Sequence, residues 1–343
     1  MDTPAGQPKT APEPEPRFTA SIGPHIRSGE TVGHIMWTVS ASLFPAAALS
    51  VYYFGLPALM VLAVSILSCM AFEAIAQKAM GVRVSAGDGS AFLTGLLLGM
   101  NLPAGVPFYL PVLGAAVAII ITKQLFGGLG YNISNPALIG RAFLLASFPR
   151  LMTSWPVPAS TLSLARLDAV TAATPLGILK EEGYDKLLTH FVDKTDMYTQ
   201  MFLGHRGGSM GEVGVLALLL GAGYLLVKRY ITWHIPFTFI ATVATITWLS
   251  GGDPLLAMLS GGLVLGAFFM ATDYVTAPQL KNAQVAFGVG CGAITALIRI
   301  KGGYPEGVCY AIIIMNLFTP LLDRAFTPKK FGAPGTGGAK VKA

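Results

Sequence analysis

Thr174 ends the heptapeptide Asp168-Ala169-Val170-Thr171-Ala172-Ala173-Thr174, a polar stretch between two very apolar blocks. Ala172 and Ala173 leave its hydroxyl uncrowded, and Pro175 biases the threonine away from helical backbone. A modifying transferase needs such a segment extended and reachable, so that it can bring the hydroxyl to a phosphoanhydride. Asp168 and Thr171 supply polar handles upstream. The seven residues match the signal by which flavin mononucleotide (FMN) is joined through its phosphate to a threonine hydroxyl, which here would be Thr174. The bland alternative is an ordinary Ala/Thr loop, and position decides between them: the heptapeptide falls in the single long loop expected outside the cytoplasm.

Few other residues are placed to do chemistry. Cys69, Cys291 and Cys309 are isolated, and no C-x-x-C spacing occurs. The His residues form no i, i+4 pair, so neither a zinc nor an iron–sulfur site is expected from this chain alone. Ionisable residues inside or beside apolar blocks stand out instead: Glu73, Arg141, Asp273 and Arg299. Each has two readings, a functional ionic site or a structural pair with its head group near the interface. Arg141 follows Asn135-Pro136 by one to two helical turns, where it can face a flavin or a partner helix. Arg299 and Lys301 break the positive-inside pattern, and the expectation is that they neutralise the FMN phosphate on the outer face.

The elements that must position these residues are helices in a membrane. Of the 343 residues, 53% are hydrophobic and 12% are charged, and mean hydropathy is +0.62. Soluble domains carry roughly twice that charge fraction. Apolar blocks at 34–54, 57–79, 89–101, 108–126, 136–149, 212–230, 235–250, 254–272, 284–300 and 305–326 predict about ten transmembrane helices. Those at 89–101 and 136–149 are short and flanked by Gly, Pro and Asn, as half-helices that line an internal site are. The net charge of +6 lies at block ends and in the tails, with no basic-aromatic platform, which excludes nucleic acid as the partner and leaves membrane lipid.

An even span count puts Lys78, Arg83, Lys123, Lys228, Arg229, Lys281 and Arg324 on one side, predicted to be cytoplasmic together with both termini. The expected organisation is a disordered arm (1–30), a first transmembrane repeat (31–149), an extracytoplasmic loop carrying the attachment site (150–211), a second repeat (212–326) and a disordered tail (327–343). Thr94-Gly95-Leu96-Leu97-Leu98-Gly99 resembles Ser260-Gly261-Gly262-Leu263-Val264-Leu265-Gly266. That likeness suggests two five-helix repeats, inverted relative to each other. The pairs Gly95–Gly99, Gly262–Gly266 and Gly288–Gly292 have the small-xxx-small spacing of packing seams.

Three further runs carry a family resemblance: Gly87-Asp88-Gly89-Ser90-Ala91, Gly99-Met100-Asn101-Leu102-Pro103 and Tyr131-Asn132-Ile133-Ser134-Asn135-Pro136-Ala137. With the heptapeptide, they resemble a family of membrane subunits found in two kinds of complex. One is the D subunit of Rnf complexes, the ion-translocating ferredoxin:NAD oxidoreductases. The other is the B subunit of sodium-pumping NADH:quinone reductases. The family's attachment signal reads approximately Asp-Gly-x-Ser/Thr-Gly-Ala-Thr. Asp168, Thr171, Ala173 and Thr174 match it, while Ala169 and Ala172 replace its glycines. The short N-terminal arm favours the Rnf branch.

The resemblance implies an all-α, urea-transporter-like inverted repeat, a covalent FMN and a second, non-covalent flavin such as riboflavin. It also implies partners among the other Rnf subunits (A, B, C, E and G), a flavin transferase for maturation, and a bacterial inner membrane. Two readings from other classes stand beside it: a solute channel or transporter, suggested by the interrupted helices, and an assembly scaffold without cofactor.

Overall fold

A computed structural model describes residues 29–156, 174–189, 191–204, 207–212, 214–304 and 306–328. Each of the ten apolar blocks is helical, because a backbone inside hydrocarbon must satisfy its own hydrogen bonds. In the first half these are α1 (Val32–Phe54), α2 (Leu56–Ala79), α3 (Ser90–Met100), α4 (Tyr109–Ala116) and α5 (Pro136–Ser147). The end of α4 runs on as a π-helical segment, Val117–Gln124. Gly55, at φ 68°, makes the turn that separates α1 from α2. A short α6 (Pro149–Met152) follows α5.

Beyond it the described part of the long loop is itself helical: α7 (Pro175–Glu181), α8 (Tyr184–Thr189) and α9 (Lys194–Leu203). These surround a small apolar cluster of Ile178, Leu187, Met197 and Met201 that also takes in Leu256 from the second half. The second half holds α10 (Val215–Val227), α11 (His234–Leu249), α12 (Pro254–Leu259), α13 (Leu263–Leu265), α14 (Lys281–Lys301) and α15 (Val308–Phe326). After α13 the chain continues as a π-helical turn, Gly266–Met270. α1, α2, α14 and α15 are long and apolar enough to cross a membrane, and α3, α4 with its π segment, α5, α10 and α11 are shorter apolar helices. The molecule is an all-helical, multi-pass membrane protein, and its described residues contain no strand.

The halves use the same pairings. α2 packs on α3 and α4 as α11 packs on α12 and α14; α4 meets α5 as α14 meets α15. Across the halves α1 meets α10 and α5 meets α15, as a two-fold relation between repeats requires. Two of the glycine pairs form seams. A Cβ on Gly95 would lie 2.5 Å from the Cα of Ile66 on α2, and one on Gly288 would lie 2.0 Å from the Thr238 hydroxyl on α11. The third pair divides: a Cβ on Gly266 would lie 2.4 Å from Val308 on α15, a close approach as expected, whereas Gly262 turns the chain. Gly261 (φ 66°) and Gly262 (φ 64°) are left-handed, so the block 254–272 is broken into α12 and α13. The break makes this segment a counterpart of the short helix α3.

Candidate cofactor cavity at Thr174

Three helices begin with the same device, an oxygen-bearing side chain followed by proline. Asn135 accepts from Ala137 N at 3.0 Å to start α5, and Asp253 accepts from Leu255 N and Leu256 N to start α12. Thr174, extended at φ −68° and ψ 152°, starts α7 by accepting from Gly177 N at 3.1 Å. Proline at the first helical position loses no bond, since that N–H has no partner within the helix. The extended threonine expected from the sequence is therefore present. Its hydroxyl is buried, only 6% of the residue being exposed. It lies beside a cavity of about 360 Å³, not on an open loop surface.

The cavity lies between the two halves. α5 contributes Arg141, and Trp155 follows α6. Tyr304, Glu306, Cys309 and Tyr310 come from the α14–α15 turn and the start of α15. The rings of Tyr304 and Tyr310 are 6.4 Å apart and tilted by 32°. Arg141 is 5% exposed. It pairs with the Glu306 carboxylate and donates to Asn101 Oδ1 at 3.1 Å. Asn101 is in turn fixed at the end of α3, donating to Leu97 O at 2.7 Å. The Arg141 Nε–H is buried and has no partner among the described residues.

Arg299 is held elsewhere. Its guanidinium donates to Ala257 O (2.7 Å), Ser260 O (2.9 Å) and Glu306 O (3.1 Å). These include carbonyls left open where α12 ends, and a cation is the natural donor for them. Arg299 lines a second cavity, of about 630 Å³, with Leu176, Lys180 and Asp253. Lys301, the last residue of α14, is exposed and lines neither cavity. Asp168, Thr171 and Ala173 lie outside the described residues.

The other ionisable residues resolve into local partnerships. Glu73 is buried on α2 and accepts from Lys123 Nζ at 2.6 Å and Gln124 Nε2 at 2.9 Å, both on the π-helical segment. Lys123 also donates to Ser90 Oγ at 2.6 Å. Removing one member of such a pair strands a charge in a low-dielectric interior. Lys123 lines a tight cavity of about 70 Å³ together with Asn132, Asn135 and Asp273. Asp273 accepts from Thr276 Oγ1 at 3.1 Å. No group of three metal-ligating side chains occurs among the described residues.

The residues at the Thr174 cavity fit a phosphoester-linked flavin. The volume falls in the roughly 300–1,000 Å³ range of small-molecule sites. Trp155, Tyr304 and Tyr310 offer aromatic faces, and Arg141 offers a cation with an uncommitted N–H. An ester oxygen keeps a lone pair for Gly177 N, so the helix cap survives attachment. Glu306 and the aromatic residues were not singled out from the sequence, and Asn101 stood out only as part of the Gly99–Pro103 run, with no role at the site. The one legible signal was the Gly302–Gly307 turn, which holds an acidic residue between two long apolar helices.

Fold and cavity together define a class: a polytopic helical membrane protein with a polar, aromatic-walled cavity between its two halves. Residues 19–332 match the NQR2, RnfD, RnfE family, and the chain belongs to it. It is 50% identical over 322 residues to the D subunit of the proton-translocating ferredoxin:NAD(+) oxidoreductase complex of Clostridium ljungdahlii, covering 92% of this chain and 96% of the relative. It is 44% identical over 320 residues to the D subunit of the Na(+)-translocating ferredoxin:NAD(+) oxidoreductase complex of Acetobacterium woodii, covering 93% and 96%. The D subunit of an ion-translocating oxidoreductase complex of Stutzerimonas stutzeri is 37% identical over 345 residues, with 93% and 96% covered.

Proposed function

We propose that this chain is the membrane subunit of an ion-translocating ferredoxin:NAD oxidoreductase complex, and that it carries FMN as a phosphoester on Thr174. The observation that carries the reading is the Thr174 hydroxyl itself. It is extended, flanked by small residues, and seated beside an aromatic-walled cavity with a buried cation. The relatives bearing ferredoxin:NAD(+) oxidoreductase names cover nearly the whole chain, which favours this reading over the sodium-pumping NADH:quinone reductase branch and over a solute transporter. The FMN supplies electron transfer when bound. Thr174 fixes it without engaging the ring, Trp155 and the tyrosines exclude water from it, and Arg141 balances its negative charge. The chain is not expected to be active alone.

Because Thr174 is buried when α7 is seated, its segment must be off the body when a flavin transferase acts. The A, B, C, E and G subunits of such a complex are the proposed redox and ion-path partners. A second flavin, of the riboflavin kind, belongs to the same proposal. The tight cavity at Asn132 and Asn135 offers it polar groups, but the surrounding helices must part to admit a ring. The complex is assigned to a bacterial inner membrane, with both termini cytoplasmic and the Thr174 segment periplasmic, on the Lys/Arg distribution. The decisive measurement is in-gel fluorescence of the denatured subunit together with peptide mass spectrometry. An FMN mass on Thr174 is expected. A colourless chain, or a flavin on a different residue, refutes the assignment.

A further inference from the structure

The described walls of the Thr174 cavity carry two carboxylates, Glu181 and Glu306, and one cation, Arg141. A bound phosphodiester adds negative charge, and each electron accepted by the ring adds more. A cavity of that charge resists reduction of its cofactor unless a cation offsets it. Arg141 is positioned for this. Glu306 holds one guanidinium nitrogen and Asn101 a second, while Nε–H is uncommitted among the described residues. The residue is 5% exposed, so water screens its charge little. Both anchors belong to well-fixed elements: Asn101 ends α3 and bonds to Leu97 O, and the Glu306 backbone carbonyl is held by Arg299.

We infer that Arg141 is a positioning and potential-setting residue: clamped by Glu306 and Asn101, its fixed positive charge makes the Thr174 cofactor easier to reduce, with Glu306 opposing it. This rests on the reading that Thr174 carries FMN. The two charges act with opposite sign on one cofactor, which a purely structural ion pair does not do. Breaking a structural pair from either side gives the same symptom, lost stability. Breaking this one shifts the potential down from one side and up from the other.

The test is spectroelectrochemical titration of the intact purified complex. The Thr174 flavin is identified as the component missing from a Thr174→Asn complex. Arg141→Gln is expected to lower its midpoint potential and Glu306→Gln to raise it. The double variant, which restores charge balance, should return towards the parent. Arg141→Lys keeps the charge but loses the two-pronged hold, so it should stay near the parent value. If Arg141→Gln does not assemble, Glu306→Gln keeps the test: a raised potential supports the inference and an unchanged or lowered one overturns it. In-gel fluorescence of each denatured subunit is read first. If the parent subunit carries no flavin, both this inference and the proposed function fail. If flavin is attached in every variant and the potential does not move, or moves the same way in Arg141→Gln and Glu306→Gln, this inference alone is overturned and the pair is structural.

Discussion

Thr174 does two jobs with one oxygen. It is the attachment point proposed for FMN, and it caps α7 through Gly177 N. A substitution that removes the hydroxyl therefore also removes the cap, which costs about 1 kcal/mol for a typical helix. Thr174→Asn separates the two, since asparagine caps well but cannot form the phosphoester. Thr174→Asn is expected to abolish the covalent flavin while the complex still assembles, and Thr174→Ser to retain both. Peptide mass spectrometry of the two variants checks this, and flavin persisting on the Asn variant would place the ester elsewhere. Arg141 and Arg299 show the same scale from another side. Both are arginines at helix positions in polar company, but Arg299 donates to carbonyls at the α12–α13 break, whereas Arg141 keeps one N–H uncommitted beside the cavity.

Helices α8 and α9 are tied to the second half at Asp253. Its carboxylate caps α12 and also accepts from the phenols of Tyr184 and Tyr198. Burial acts to raise the Asp253 carboxyl, but the hydrogen bonds from Tyr198, Leu256 N, Tyr184 and Leu255 N overcome it and hold the group below the usual carboxylate range. The same arrangement holds the Tyr198 phenol above its ordinary value, by burial first and by its bond to Asp253 second. Because the folded carboxyl is depressed, its stabilisation is fully present above the ordinary aspartate pKa of about 4. It is lost as pH falls through the lower folded value. Asp253→Ala should loosen α8 and α9, seen as faster limited proteolysis between 184 and 203 at neutral pH. The difference between variant and parent should shrink in acid; a constant difference would assign the effect to packing instead.

Glycine seams set another property at the scale of elements. Gly288 lets α14 approach α11 so closely that an added Cβ would lie 2.8 Å from Ile235 O as well as against the Thr238 hydroxyl. Gly288→Ala is expected to force the helices apart and lower stability by about 1–3 kcal/mol, the typical cost of overpacking. Thermal unfolding in detergent measures it. A neutral result would mean that the two helices slide past each other without loss of packing.

At the scale of the whole molecule, the cavity exists because two halves with the same internal pairings meet along α5 and α15. The proposed topology, five crossings per half with the termini on one side, puts the long segment between the halves on the other. Compartment reporters fused at Gly183 and after Lys330 are therefore expected to disagree, with the Gly183 fusion outside the cytoplasm. Agreement between them would require an even number of spans between the two points and would remove the inverted relation. The buried Glu73–Lys123 pair fits the same frame, tying α2 to the π-helical end of α4 within the first half.

Sequence by itself determined the helices, the membrane setting and the Thr174 turn. Apolar block length, proline position and cap residues act over a few neighbours, so they can be read along the chain. The break at Gly261–Gly262 was not legible, because two glycines in an apolar run serve a seam or a left-handed turn equally well until the neighbours are known. The choice among candidate cations was also out of reach. Arg141, Arg299 and Lys301 were all candidates from the sequence, and the one against the Thr174 cavity is Arg141, paired with Glu306 some 165 positions away. That pairing depends on where α5 docks against the α14–α15 turn. Docking follows from side-chain shape and close glycine approaches summed over many helices, and only the tertiary structure decides which charges meet.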